Sequence, residues 1–216
     1  CSHTRLTLSV IIVSAMRPPG YEQAMDLVVA SLKNYKFDLN KVVASTGCTC
    51  LLMAAQMDNP VAIKSLIKHG ADPNLRVAKS DQLNGGGMSA LHMAVMNGTM
   101  NAAVALLEGG ANPDLRERNL GETPLMACLW NLRVDFVPLI LKYTKDIWRP
   151  RDDRWNAMQI ARQVVMDRGD GARECYDIVQ KILRAGDGIR MVNHRDRLGY
   201  GYQQGEFSLD AGTSAL

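Results

Sequence analysis

The sequence predicts an all-α solenoid of stacked helix-turn-helix pairs. Three observations predict it: a motif that recurs at one internal offset, a helix-capping residue at the same place in every copy, and two short amphipathic periods after each cap. The segment Gly47-Cys48-Thr49-Cys50-Leu51-Leu52-Met53-Ala54-Ala55 is followed, 23 residues after its glycine, by Gly70-Ala71-Asp72-Pro73-Asn74. Gly87-Met88-Ser89-Ala90-Leu91-His92-Met93-Ala94 reaches Gly110-Ala111-Asn112-Pro113-Asp114 at the same offset of 23. Gly121-Glu122-Thr123-Pro124-Leu125-Met126-Ala127-Cys128 reaches Thr144-Lys145-Asp146-Ile147-Trp148, a degenerate ending. Arg154-Trp155-Asn156-Ala157-Met158-Gln159-Ile160-Ala161 keeps the register but needs 32 residues to reach Gly186. A period of this kind is the mark of a repeat architecture.

Each element follows from its residues in order. Residues 1–19 are expected to be a leader or a loosely docked strand, with an apolar run from Leu6 to Val13 that does not amount to a clear signal peptide. From Tyr21 to Lys36, the apolar positions Ala24, Leu27, Val28, Ala30 and Leu32, with Ser31, predict one helix. Phe37-Asp38-Leu39-Asn40 then imitates the closing turn, so residues 20–43 read as a half-repeat that caps the stack. Repeats are expected at about 44–76, 84–116, 118–150 and 151–186. Thr49, Ser89, Thr123 and Asn156 are good N-caps, and Pro124 suits a first helical turn, where a missing N–H costs nothing. Each cap opens a short helix with small and aliphatic residues on one face: Leu51, Ala54 and Ala55; Leu91, Ala94 and Val95; Leu125 and Cys128. A second helix follows, apolar at i, i+3 and i+4: Ile63, Leu66 and Ile67; Ala103, Leu106 and Leu107; Phe136, Leu139 and Ile140. Gly70 and Gly110 supply the left-handed residue that ends it. One such pair leaves apolar surface on both sides, so neighbouring pairs must stack. The last pair carries Arg162, Asp167, Arg168, Asp170 and Arg173 and reads as a polar cap, with an extended tail over residues 187–216.

These residues resemble the ankyrin-repeat family, whose repeat of about 33 residues carries a T-P-L-H-x-A signature. Thr123-Pro124-Leu125 and Ala90-Leu91-His92-Met93-Ala94 hold that signature in two halves. The resemblance covers residues 21–186, about three quarters of the chain. It implies β-hairpin-like loops connecting the helix pairs, and partner binding on a concave face built from hairpin tips and the exposed side of each first helix. Carried over position by position, the first-helix residues are Gln56, Met96, Trp130 and Gln163. The tip residues are Cys48, Met88, Glu122 and Trp155. Of these, Gln56, Met88, Met96, Glu122, Trp130, Trp155 and Gln163 are the expected partner-binding residues, with methionine and tryptophan as anchors. Trp148 replaces a closing residue and is expected to pack. His92 is expected to hydrogen-bond between neighbouring repeats rather than to catalyse; the other copies carry Leu52, Met126 and Gln159 at that position. The loop Val77 to Gly87 is longer than the usual connection and is a further candidate contact.

Composition sets the remaining bounds. The chain of 216 residues is 47% hydrophobic and 22% charged, in the range of a folded domain. A net charge of +3 without a Lys/Arg stripe argues against nucleic acid, because Arg149, Arg151 and Arg154, and Arg190, Arg195 and Arg197, are interleaved with aspartates. Five cysteines in no scaffold spacing fit a reducing compartment, hence a cytoplasmic expectation, with nuclear or cytoskeletal association as variants. Cys48 and Cys50 lack the further ligands a metal needs. No stretch has the roughly 18 apolar residues of a spanning helix. His194-Arg195-Asp196 lacks the rest of a kinase catalytic loop, and Gly85-Gly86-Gly87 does not continue into a phosphate cradle. The expectation is a non-catalytic module with no cofactor, metal or small-molecule substrate. It would bind another protein as an adaptor or scaffold, or act as the regulatory subunit of an enzyme or of a cytoskeletal or flagellar complex.

Overall fold

In the computed structural model, the described residues are 21–34, 37–42, 48–76, 87–145, 150, 152, 155–168 and 177. The chain divides into two compact units, residues 1–182 and 183–216, and every described residue belongs to the first. The expected leader, the loop over 77–86, Trp148, the second helix of the fourth copy and the tail lie outside the described residues.

Eight helices are described: α1 (Tyr21–Asn34), α2 (Cys50–Gln56), α3 (Pro60–Lys68), α4 (Ala90–Asn97), α5 (Met100–Glu108), α6 (Pro124–Trp130), α7 (Phe136–Tyr143) and α8 (Ala157–Arg168). Among the described residues there is no β-strand. The pairs α2/α3, α4/α5 and α6/α7 are hairpins, and their packing forms two layers. First helices stack in the order α2, α4, α6, α8, and second helices in the order α1, α3, α5, α7.

The caps form as their residue types dictate. Thr49 Oγ1 accepts from the Leu52 N–H at 3.2 Å and Thr123 Oγ1 from the Met126 N–H at 3.4 Å. Asn156 and Gln159 are reciprocal: Asn156 Oδ1 accepts the Gln159 N–H at 3.0 Å, and Gln159 Oε1 accepts the Asn156 N–H at 2.9 Å. These bonds satisfy N–H groups that a helix start leaves without partners. Second helices end as the glycines require. Gly70 and Gly110 have φ of +103° and +88°. In each turn the next residue reaches back, Ala71 N–H to Leu66 O and Ala111 N–H to Leu106 O, both at 2.9 Å.

Beyond those glycines the closing turns repeat in detail. Asp38, Asp72 and Asn112 each accept the N–H of the residue two places on, Asn40, Asn74 and Asp114, at 2.8 to 2.9 Å. The sequence Phe37-Asp38-Leu39-Asn40 is therefore a true copy of the closing turn, though it shares little of its wording. The connection into the third repeat closes as a hairpin, with the Glu117 N–H on Glu122 O at 2.8 Å and the Arg118 N–H on Gly87 O at 3.3 Å.

The core is the sum of the facing stripes. Leu51, Leu91, Leu125, Ile63, Leu66, Leu106, Phe136 and Ile140 are fully buried, and Ala54, Ala55, Ala94, Ala102 and Ala105 let the helices approach closely. Ile67 and Leu139, expected in the core, are half-buried because their place on the helix lies at the edge of the layer. The N-terminal helix corrects the reading more sharply. Its buried residues are Tyr21, Met25, Val29 and Leu32, whereas Leu27 is 69% exposed. Two apolar stripes run along α1, and the one facing α3 and the inner layer is the one that packs.

Candidate functional site

The site predicted from the sequence is a row of residues in one register on stacked first helices. Gln56 and Trp130 end α2 and α6, Met96 lies one residue before the end of α4, and Gln163 lies within α8. Because α2, α4, α6 and α8 stack in that order, these four side chains stand on successive helices. Gln56 is exposed, while Met96, Trp130 and Gln163 are half-buried. Of the tip residues, Cys48, Met88, Glu122 and Trp155 are all half-buried. Beneath the row the helices are closed: Ala54, Ala55, Ala94, Val95, Cys128 and Leu129 are 3% exposed or less.

Polar contacts, within the helix and from neighbouring repeats, hold parts of the row. Arg133 Nη2 donates to Met96 O at 3.0 Å, which ties the end of α4 to the turn after α6. Gln163 Nε2 donates to Asp167 Oδ1 at 2.8 Å. Glu122 is fixed through its backbone, its carbonyl accepting from the Glu117 N–H and from His92 Nε2 at 3.0 Å. The buried Glu117 carboxylate collects the N–H groups of Asn119, Leu120 and Glu122, so the tip of this loop is built around it.

His92 plays the structural part expected of it. Its Nε2 faces the Glu122 carbonyl and so carries the proton, which leaves Nδ1 to accept from the Ser89 hydroxyl at 2.8 Å and the Ser89 N–H at 3.4 Å. Burial pushes its pKa down from 6.5 to about 4, despite opposing contributions from the Glu122 carbonyl and the Glu117 charge. The ring is a neutral link between the second and third repeats. Burial also raises the thiol pKa values of Cys48 and Cys50 above the ordinary thiol range. Among the described residues, no three His, Cys, Asp or Glu side chains are arranged to hold a metal ion. No helix among them is long and apolar enough to cross a membrane.

Sequence reasoning missed several surface features. Met57 is 44% exposed directly after Gln56, and Leu120 is 53% exposed on the loop that Glu117 organises. Helical periodicity assigns neither, since both lie in turns. A polar groove of about 690 Å³ lies along the same loop, lined by Arg76, Asp114, Arg116, Glu117, Arg118 and Asp152 among others. Arg116 bridges it, donating to Gly121 O at 3.0 Å and to the Asp152 carboxylate.

Residues 75–151 match the family model described as ankyrin repeats in three copies, and residues 46–77 match the model for a single ankyrin repeat. This is an ankyrin-repeat protein. Its curated relatives share the repeat rather than a whole architecture. The ankyrin chain is 39% identical over 79 residues to neurogenic locus notch homolog protein 1 of Danio rerio, covering 37% of this chain and 3% of that protein. It is 42% identical over 79 residues to CAP-Gly domain-containing linker protein 3 of Mus musculus, covering 37% of this chain and 14% of that protein. It is 24% identical over 151 residues to the B-cell lymphoma 3 protein homolog of Mus musculus, covering 69% of this chain and 31% of that protein. The chain thus spans at most about a third of the length of these relatives. Ankyrin repeats are in general protein–protein interaction modules.

Proposed function

We propose that this chain is a non-catalytic adaptor or scaffold that holds a partner protein along the row that α2, α4, α6 and α8 present and the adjoining loop tips. The observation that carries this reading is the row Gln56, Met96, Trp130 and Gln163, one residue per stacked helix over a closed core. Inter-helix spacings of about 8–10 Å place successive anchors within reach of one extended or helical partner segment. Met96 and Trp130 supply the polarisable and aromatic surface that dominates binding energy, with Met88, Glu122 and Trp155 as the loop contribution. No side chain of the row is placed for acid–base or nucleophilic work, since His92 is locked as a neutral link and the described thiols are buried or half-buried.

The test is affinity purification with mass spectrometry using the full chain and Trp130→Ala, with circular dichroism to confirm that both are folded. A partner recovered with the wild type and reduced at least tenfold with the variant supports the row as the contact surface. An unchanged set of co-purifying proteins rules it out.

A further inference from the structure

In each repeat the residue after the positive-φ turn reaches back to the element before it. Asn59 Nδ2 donates to the Tyr21 hydroxyl of α1, Thr99 Oγ1 to Ala55 O at 2.9 Å, and Arg133 Nη2 to Met96 O at 3.0 Å. A neutral amide and a hydroxyl are enough for the first two links. The third uses one N–H of a guanidinium that carries several further donors and a full positive charge. Its pose is fixed by the neighbouring repeat: Gly98 has no side chain, and a Cβ there would lie 2.9 Å from Nη1 and 3.1 Å from Cζ. Arg133 is half-buried, and its Nε is buried without an acceptor. No carboxylate among the described residues pairs with it, although Asp135 stands exposed two residues on. Arg116, half-buried as well, is by contrast matched to the Asp152 carboxylate and to Gly121 O. A guanidinium partly withdrawn from water and lacking a counter-charge keeps donors that suit a carboxylate, which can accept two parallel N–H bonds.

We propose that Arg133 binds a carboxylate, an Asp or Glu side chain of the partner protein, at the part of the row formed by Met96 and Trp130. This rests on the row being the contact surface, and adds the charge that the partner brings to it. Met96 is tied to the guanidinium through its carbonyl, and Trp130, the last residue of α6, precedes Arg133 by three residues. One guanidinium fits a singly charged group. Residues 94–103 and 128–141 contain no other Lys or Arg, whereas a phosphate carries about two charges and calls for a cluster of cations. The partner segment therefore combines apolar surface for Met96 and Trp130 with one acidic side chain beside it. The partial burial of Arg133 strengthens the pair relative to one in open water, because solvent screens it less.

A phage library of random, unmodified peptides selected on the immobilised full chain tests this. The enriched peptide is synthesised with its acidic residue and with the matching amide, and both forms are titrated against the wild type, Arg133→Gln and Trp130→Ala by fluorescence polarisation. The wild type is expected to prefer the acid over the amide at least tenfold, and Arg133→Gln, folded by circular dichroism, to bind the two alike. Where Arg133→Gln does not fold, Arg133→Lys replaces it, and its preference is expected to fall at least threefold because an ammonium cannot offer two parallel bonds. A mere loss of stability would weaken both peptide forms equally and leave the preference intact. A preference that persists undiminished in the folded variant, enriched peptides without an acidic position, or no enrichment at all overturns the proposal. Peptides that lose affinity on Trp130→Ala but ignore Arg133 overturn it while keeping the row; peptides indifferent to both substitutions overturn the row as well.

Discussion

Acid should loosen the link between the second and third repeats through one residue, His92. The ring is 1% exposed, and both of its nitrogens are committed. A proton added at Nδ1 would bury a charge and would point an N–H at the Ser89 N–H, which already donates there at 3.4 Å. The folded-state pKa therefore lies at about 4, below the ordinary 6.5. A group whose folded pKa is depressed favours folding fully above its unfolded pKa and loses that contribution as pH falls through the folded one. The window for His92 runs from 6.5 down to about 4. At about 1.4 kcal/mol per tenfold, the loss across it approaches about 3 kcal/mol, a large part of the 5–15 kcal/mol or so that holds a typical domain together. The matched variant is His92→Gln, because Gln159 occupies the same register and its Oε1 already accepts the N-cap N–H at 2.9 Å. Urea unfolding of both chains between about pH 7 and pH 4 is expected to show the wild type losing up to about 3 kcal/mol more than His92→Gln. The carboxylate of Asp26 titrates in a separate window. Donation from Lys68, together with His69 and Ser65, lowers its pKa from 3.8 to about 2, so its contribution is present above 3.8 and fades only below the His92 range. Parallel pH profiles for the two chains would refute the assignment.

Three further outcomes follow from single contacts. Asp114→Asn is expected to raise stability by about 1 kcal/mol in thermal melts, because Asp114 Oδ1 is buried without a partner where the equivalent Asn74 donates its amide to Gly110 O at 3.3 Å; a lower melting temperature would contradict this. Gly98→Ala is expected to cost about 1–2 kcal/mol by chemical denaturation, since φ is +74° and an added Cβ would meet Arg133 Nη1 at 2.9 Å; a neutral result would mean that this turn relaxes freely. Leu106→Ala is expected to cost about 2–5 kcal/mol, the price of a cavity between two layers, because Leu106 is 0% exposed; a change under about 1 kcal/mol would show that the stack closes over the gap.

The fold was legible because its signals are local. Thr49, Ser89, Thr123 and Asn156 each cap the helix that follows, and Gly70 and Gly110 each turn the chain where φ must be positive. What escaped the sequence is decided between repeats. On α1, Ala24, Leu27 and Val28 compete with Tyr21, Met25 and Val29, and only the position of α3 determines which stripe is covered. The turn between the two helices takes a positive φ at Asp58, Gly98 and Leu132, yet only one of the three is glycine, so composition does not announce it. The register alone placed Gln56, Met96, Trp130 and Gln163 on successive helices. The Glu117 hub and the exposure of Met57 and Leu120 depend on loop geometry that no periodicity encodes.

Hydrophobic burial holds the layers together but has no direction, so on its own it would let one hairpin slide or tilt against the next. The register is set by polar hooks that run from each repeat to its neighbour. Asp26 accepts from Ser65, Lys68 and His69, and Asp58 accepts from Asn101 and the Ala102 N–H, both at 2.8 Å. Along the closing turns, Asn40, Asn74 and Asp114 accept the N–H groups of Asp72, Asn112 and Lys145 at 2.7 to 2.9 Å. His92 and Arg133 add a hook in each direction between the second and third repeats. Asp58 shows how the two demands meet in one residue: its positive φ of 49° costs backbone strain, and its carboxylate, aimed by that conformation, caps the start of α5. Leu132 adopts the same turn with φ of 51° but has no carboxylate, and the hook beside it, from Arg133, runs back to Met96 of the preceding repeat, as Thr99 runs back to Ala55 O. A surface row with one residue per helix keeps a constant spacing only if the hairpins cannot shift, so these hooks fix the spacing of the row that we propose as the contact surface.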